Sequence, residues 1–104
     1  MYDLKKLSKL PRIGELAPEA FNAYVAFDQA AGRDGAVPVK YKELIAIAVA
    51  LTTQCPYCIE VHVKAAKAAG ASRNEVTEAS FIAAALRAGA AATHGAMALK
   101  LYGS

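Results

Sequence analysis

The chain has 104 residues, with 12 Lys and Arg against 9 Asp and Glu, and its formal net charge at neutral pH is +3. Hydrophobic residues make up 56 % of it, whereas a globular domain usually has roughly 45–50 %. This composition excludes a disordered chain, a collagen-like chain and a disulfide-rich scaffold. The length of the chain is typical of a single domain, and the excess of apolar residues indicates that the domain associates with copies of itself.

Basic residues cluster only near the N-terminus, at Lys5, Lys6, Lys9 and Arg12. A short run of this kind, without a recognisable binding motif, is typical of a solvated segment. The N-terminal stretch has no apolar core of the kind found in secretory signals. The longest apolar run, Leu44–Leu51, is far shorter than the roughly 20 residues that span a bilayer. We therefore predict a cytoplasmic protein that binds neither nucleic acid nor a membrane.

Turn residues and helical spacing divide the chain into an N-terminal arm, residues 1–17, and a helical domain, residues 18–104. Proline is favoured at the first position of a helix and glycine just past its end, so a helix is predicted over Pro18–Gly32. A second helix is predicted from near Pro38 to about Thr52. Its segment Leu44–Leu51 is apolar all round, which predicts that this helix is buried on every side.

The remaining helices are predicted from turn residues and a capping motif. Pro56 opens a helix that Gly70 closes. Ser72 followed by Glu75 is a capping box and marks the next helix start. Gly89 is expected to interrupt that helix, and a last helix is expected over Ala90–Leu101. Since no segment alternates with period two, the predicted class is all-α, a compact domain of about five to six helices.

The chemistry-bearing segment begins at two cysteines in C-x-x-C spacing, Cys55 and Cys58, with Pro56 between them. If Pro56 is the first helical residue, Cys55 is the N-cap and Cys58 lies in the first turn. The partial positive charge of a helix N-terminus stabilises a thiolate there, and C-x-x-C cysteines commonly have a lowered pKa. In a reducing compartment this spacing favours redox or metal chemistry over a passive crosslink.

A histidine and a glutamate complete the pattern. His62 follows Cys58 by four residues, so both side chains project from one helix face. An imidazole there can take a proton from the thiol or return one to a leaving group. Such a base needs a group that orients it, and Glu43, at the edge of the apolar run of the preceding helix, is the candidate.

Together, Glu43, Cys55 twelve positions later, Cys58 and His62 resemble the signature of the AhpD-like alkylhydroperoxidases of the carboxymuconolactone decarboxylase superfamily. The resemblance covers roughly half the chain. It implies an all-helical fold and a homo-oligomer, trimeric or hexameric. It also implies a thiol-dependent peroxidase that needs no cofactor and no metal, with a peroxide substrate and a dithiol or thioredoxin-like reductant.

Within that resemblance, Cys58 is the peroxidatic thiolate and Cys55 the resolving thiol. His62 and Glu43 form the proton relay, which works partly through water. One position departs from the family pattern, because Tyr57 stands where well-studied members have a histidine before the second cysteine.

Other interpretations of the same residues stay open. The cysteines could be small core residues, since free Cys is among the most buried types. A zinc site would have only three ligands, Cys55, Cys58 and His62, where structural zinc takes four. A non-enzymatic redox sensor or adapter would use the same dithiol, and a decarboxylase or lyase of the superfamily would not need it. His94 is expected to be a packing or interface residue.

Overall fold

The structure, a computed structural model, describes residues 10–103. The basic residues Lys5, Lys6 and Lys9 and most of the predicted N-terminal arm therefore lie outside the described residues. The described part of the chain is all-α, as predicted, with five helices and no strand. The helices are α1 (Leu10–Leu16), α2 (Pro18–Gly32), α3 (Val39–Thr53), α4 (Pro56–Ala68) and α5 (Arg73–Tyr102).

The first two helices pack closely because a glycine lies at their contact. A Cβ atom at Gly14 would be 2.7 Å from the ring of Phe21, so the ring can occupy this position only against a residue without a side chain. Pro18 is in the first turn of α2, as its sequence position predicts. At the other end of α2, the Lys42 ammonium donates hydrogen bonds to the carbonyls of Ala31 (2.9 Å) and Arg33 and so ties α2 to α3.

The core lies where α3 packs against α4 and α5. Most of its members are alanines, and their small side chains let the helix axes approach closely. The buried apolar residues are Ile47, Ala50, Ala66 and Ala83. This three-helix contact holds the end of α3 beside the start of α4, which is where the two cysteines occur.

The prediction that α3 is buried on every side is wrong for the single chain. Ile47 is 1 % exposed, but Ile45 and Val49 are 54 % and 53 % exposed. The physical reason is geometric: α4 and α5 cover only part of the surface of α3, and an apolar residue alone does not determine which side of a helix receives a neighbour.

The prediction that Gly89 interrupts a helix is also wrong, because α5 runs without a break for 30 residues. Glycine costs roughly 0.5–1 kcal/mol in a helix interior, and the surrounding alanines are the best helix formers. The capping box is present as predicted: Ser72 accepts from the Glu75 N–H (3.0 Å) and Glu75 accepts from the Ser72 N–H (2.8 Å).

Candidate active site

The dithiol lies at the start of α4. Cys55 is the N-cap residue and its sulfur accepts a hydrogen bond from the backbone N–H of Cys58 (3.3 Å). Pro56 occupies the first helical turn, where its missing N–H has no partner to lose. Cys55 and Cys58 are joined in a disulfide with their Cα atoms 5.3 Å apart, within the usual range for such bonds. The structure thus places the pair as a disulfide on a helix N-terminus.

A tight reversal at the end of α3 delivers Cys55 to this position. Gln54 adopts a left-handed conformation (φ 57°), and its N–H donates to the carbonyl of Ala50. The N–H of Cys55 donates to the same carbonyl (3.1 Å). Because Ala50 is buried in the core, the turn that carries Cys55 is anchored directly to the packed part of the fold.

Glu43 and His62 are in direct contact across α3 and α4. Glu43 Oε2 lies 2.6 Å from His62 Nδ1. The side chains are 15 % and 30 % exposed, respectively, so the pair is partly shielded from water. Charge-assisted bonds of this length are the strong ones. The structure therefore brings together two residues that the sequence places 19 positions apart.

The contact determines what the imidazole can do. When neutral His62 donates its Nδ1 hydrogen to the Glu43 carboxylate, Nε2 has a free lone pair and can accept a proton. Cys58 is one turn earlier on the same face of α4, at spacing i, i+4. The structure therefore has a disulfide sulfur of Cys58, an imidazole one turn later and a carboxylate bonded to that imidazole.

An open cleft of about 320 Å³ borders the Glu43–His62 pair on the α2 side. Asp28 and Lys42 are among its other lining residues, and the sequence interpretation assigned neither of them to the site. Asp28 did carry a signal, since it is an acidic residue in helical phase with Phe21, Val25 and other apolar residues of α2.

An ion pair fixes the beginning of α3 on the beginning of α5. Lys40 Nζ lies 3.0 Å from Glu75 Oε2. The hydrogen bond to Glu75 raises the pKa of Lys40, while the bond from the Ser72 N–H, followed by the one from Lys40, lowers the pKa of Glu75. Both groups are well solvated, so the pair orients α3 more than it stabilises the fold.

His94 lies away from these residues, exposed on the second half of α5. Its Nδ1 donates to the carbonyl of Ala90 (2.9 Å). Among the described residues, no group of three or more His, Cys, Asp or Glu side chains is placed to hold a metal ion. None of the helices described for this chain has the length and apolar character of a membrane span.

Comparison with known proteins gives the family. The model of the carboxymuconolactone decarboxylase family matches residues 18–101. The chain belongs to the carboxymuconolactone decarboxylase family. It is similar to "Uncharacterized protein 4 in cox locus" of Paracoccus denitrificans, with 47 % identity over 78 residues, 75 % of this chain and 70 % of the relative. It is also similar to an uncharacterized protein of Haemophilus influenzae, with 44 % identity over 90 residues, 86 % of this chain and 80 % of the relative.

Solved structures agree with this family assignment. A carboxymuconolactone decarboxylase family protein of Legionella pneumophila superposes with a TM-score of 0.74 at 34 % identity, over 79 % of this chain and 73 % of that chain. A protein of Methanobacterium thermoautotrophicum superposes with a TM-score of 0.75 at 30 % identity, over 80 % of this chain and 93 % of that chain. The predicted family and the predicted all-α fold are confirmed.

Proposed function

We propose that this family member is a thiol-dependent peroxidase and disulfide oxidoreductase. The observation that carries the proposal is the 2.6 Å contact from Glu43 to His62 Nδ1. It leaves Nε2 as the basic nitrogen of an imidazole one turn beyond Cys58. A pair of cysteines that only filled space would need neither a base at that spacing nor a carboxylate to orient it.

In the first step His62 takes the proton of the Cys58 thiol, and the thiolate sulfur attacks the terminal oxygen of a hydroperoxide. The O–O bond breaks, Cys58 becomes a sulfenic acid, and the departing alkoxide receives the proton back from His62 as an alcohol. Two electrons pass from the sulfur to the peroxide. The thiolate benefits from the N-terminal end of α4, which stabilises negative charge.

In the second step the Cys55 thiolate attacks the Cys58 sulfenic acid. The new S–S bond forms as the S–O bond breaks, and the leaving hydroxide takes the proton that the Cys55 thiol released, so that one water is formed. The product is the Cys55–Cys58 disulfide, which joins the N-cap residue of α4 to its first turn. Glu43 keeps the imidazole oriented through both steps.

An external dithiol then returns the enzyme to its reduced form by thiol–disulfide exchange. Both cysteines are half-buried, so a reductant reaches them at the surface of the domain and not through a channel. We assign this role to a thioredoxin-like protein or a small dithiol. We place the cycle in the cytoplasm, where such reductants are maintained.

We also propose that the active form is a homo-oligomer, a trimer or a hexamer. The radius of gyration of the chain is 17.5 Å, whereas a globular domain of this length has about 13 Å. Large apolar side chains are exposed along α5, and extensive exposed apolar surface marks an interaction surface. They include Phe81, Ile82, Leu86, Met97, Leu99 and Leu101. Light scattering of the purified protein tests this, and a clean monomer would contradict it.

The function is tested by peroxide consumption at steady state with a dithiol as regenerant. We expect turnover with the parent protein and none with Cys58→Ser, while the helical circular-dichroism spectrum stays unchanged. In the absence of the dithiol, Cys55→Ser should react once with peroxide and accumulate sulfenic acid, because no resolving thiol remains. Turnover retained in Cys58→Ser would refute the proposal.

The same assay separates the alternative functions. A non-enzymatic redox sensor or adapter has the same disulfide but consumes one equivalent of peroxide per chain and then stops. A decarboxylase or lyase of the family stays active on its substrate when both cysteines are replaced by serine. The oriented imidazole beside the dithiol favours turnover over a single oxidation.

A further inference from the structure

One arginine of α5 reaches the end of α3 that leads into the dithiol. Ala83 is buried against the core, and Arg87, four residues later, lies on the same face of α5. The Arg87 Nη1 donates a hydrogen bond to the backbone carbonyl of Thr52. The contact joins residues 35 positions apart in the sequence, and no part of the Glu43–His62 pair takes part in it.

The carbonyl that Arg87 contacts belongs to a group that helices leave unsatisfied. The last four carbonyls of an α-helix have no partner within the helix, and together they carry roughly half a negative charge. In α3 the Ala50 carbonyl is bonded by the N–H groups of Gln54 and Cys55. The Thr52 carbonyl is bonded by the guanidinium of Arg87.

This end of α3 leads directly into the turn that carries Cys55. Thr52 precedes Cys55 by three residues, and three residues span at most about 11 Å even when extended. The reversal at Gln54 shortens that path. Charges within the Debye length, about 8 Å at physiological ionic strength, are only partly screened. A negative helix end beside the dithiol opposes formation of a thiolate, and a cation that covers it removes the opposition.

We propose that Arg87 is a positioning residue for the dithiol: it fastens the Thr52 end of α3 and places a fixed positive charge beside the turn that carries Cys55. Arg87 acts through the backbone of that turn and touches neither substrate nor sulfur. Its role deepens the proposed function and rests on it, since Cys58 is taken as the nucleophile whose thiolate the charge favours.

The test measures the pKa of the Cys58 thiol without any peroxide. In a Cys55→Ser background, Cys58 is the single thiol, and its alkylation rate by iodoacetamide is followed from pH 5 to pH 10. Arg87→Gln removes the charge, Arg87→Lys keeps it, and Arg87→Ala removes charge and polar group while retaining a good helix former. Arg73→Gln is the matched control, because it makes the same charge change on the same helix, about 21 Å from Arg87 along its axis.

We expect Arg87→Gln and Arg87→Ala to raise the pKa of the Cys58 thiol by roughly 0.3–0.7. This size assumes that the lost charge acts on the thiolate about as strongly as a cation acts on a helix C-terminus. Alkylation at pH 6 then falls about two- to fivefold. Arg87→Lys should stay near the parent value, and Arg73→Gln should leave the pKa unchanged. Circular dichroism checks that each variant is folded, and Arg87→Ala serves if Arg87→Gln is not.

An unchanged thiol pKa in both neutral variants overturns the proposal, and so does an equal shift in Arg73→Gln, which would show a general charge effect. If the neutral Arg87 variants leave the Cys58 pKa unchanged and the parent protein turns over peroxide, only the role of Arg87 is refuted. A shift as expected in a protein without peroxide turnover would refute only the peroxidase function.

Discussion

Replacing Glu43 by glutamine tests the orientation of His62 with a change of one atom type. The glutamine side chain has the same shape as glutamate but no charge, and its amide can present either oxygen or nitrogen to His62 Nδ1. When nitrogen is presented, Nδ1 must accept, so the imidazole proton moves to Nε2, and Nε2 is no longer the basic nitrogen. We expect peroxide turnover to fall and the fold to persist.

The size of the loss follows from the geometry of the pair. A hydrogen bond to a charged group contributes about 1.5–3 kcal/mol, which corresponds to a factor of about 10–150 in rate. The Glu43 and His62 side chains are 15 % and 30 % exposed, and solvent screening places the effect in the lower part of that range. We therefore expect kcat/KM for peroxide to fall by about tenfold to fiftyfold.

The assay is steady-state peroxide consumption with an excess of dithiol, and the matched control is Glu60→Gln. Glu60 is on α4 two residues before His62 and forms an exposed ion pair with Lys64 (3.3 Å). The control makes the same chemical change close to the site without touching the imidazole, so its kcat/KM should stay within about twofold of the parent value.

Equal activity of Glu43→Gln and the parent protein would refute the orientation argument and leave the thiols as the only chemical groups required. A fall of the same size in Glu60→Gln would show that any lost charge near α4 suffices. Thermal melts of all three proteins establish that differences in rate do not come from unfolding.

Four further substitutions test the fold, the first three by unfolding in urea and the last by thermal melting, all at one protein concentration. Gly89→Ala should stabilise the protein by about 0.5–1 kcal/mol, since α5 is continuous there and an added Cβ would have nothing within 4 Å. A helix that is broken at Gly89 would show no such gain. Gly70→Ala should destabilise the protein by roughly 1–2 kcal/mol, because Gly70 has φ 93°. Ile47→Ala should cost about 2–4 kcal/mol, because Ile47 is 1 % exposed; a cost below 1 kcal/mol would contradict its place in the core. Glu75→Gln should lower the melting temperature at pH 7, and the difference should close as the pH falls through the pKa of Glu75, which the bonds from Ser72 and Lys40 hold below the usual range of a glutamate. This sign follows because a carboxylate with a depressed folded-state pKa stabilises only while it is ionised; a difference that persists at pH 2 would contradict it.

Local features of the fold could be predicted because their causes are local. Pro18 and Pro56 lie in the first turns of α2 and α4, and Ser72 with Glu75 forms the predicted capping box. In each case the deciding interaction lies within one helical turn of the residue. The prediction of a break at Gly89 was wrong because the cost of one glycine is local, whereas the continuity of α5 depends on the whole 30-residue segment.

The candidate site divides in a similar way. The spacing of Cys58 and His62 on α4 determined that their side chains share a face, because helical periodicity is independent of the rest of the protein. Helical periodicity alone did not determine which residue contacts His62. Glu43 reaches it only because α3 packs against α4 in one register, and a shift of one residue would rotate the carboxylate by about 100°.

The sequence alone determined that the chain is helical and where most of its helices begin, and it predicted four residues for the chemistry. The tertiary structure decided that Glu43 bonds to His62, that Arg87 holds the end of α3, and that Ile45 and Val49 stay exposed in the single chain. Helix formation depends on neighbours three or four residues away, whereas these outcomes depend on which faces pack together. Packing is determined by side-chain shape across whole helices, and a one-dimensional pattern does not contain that information.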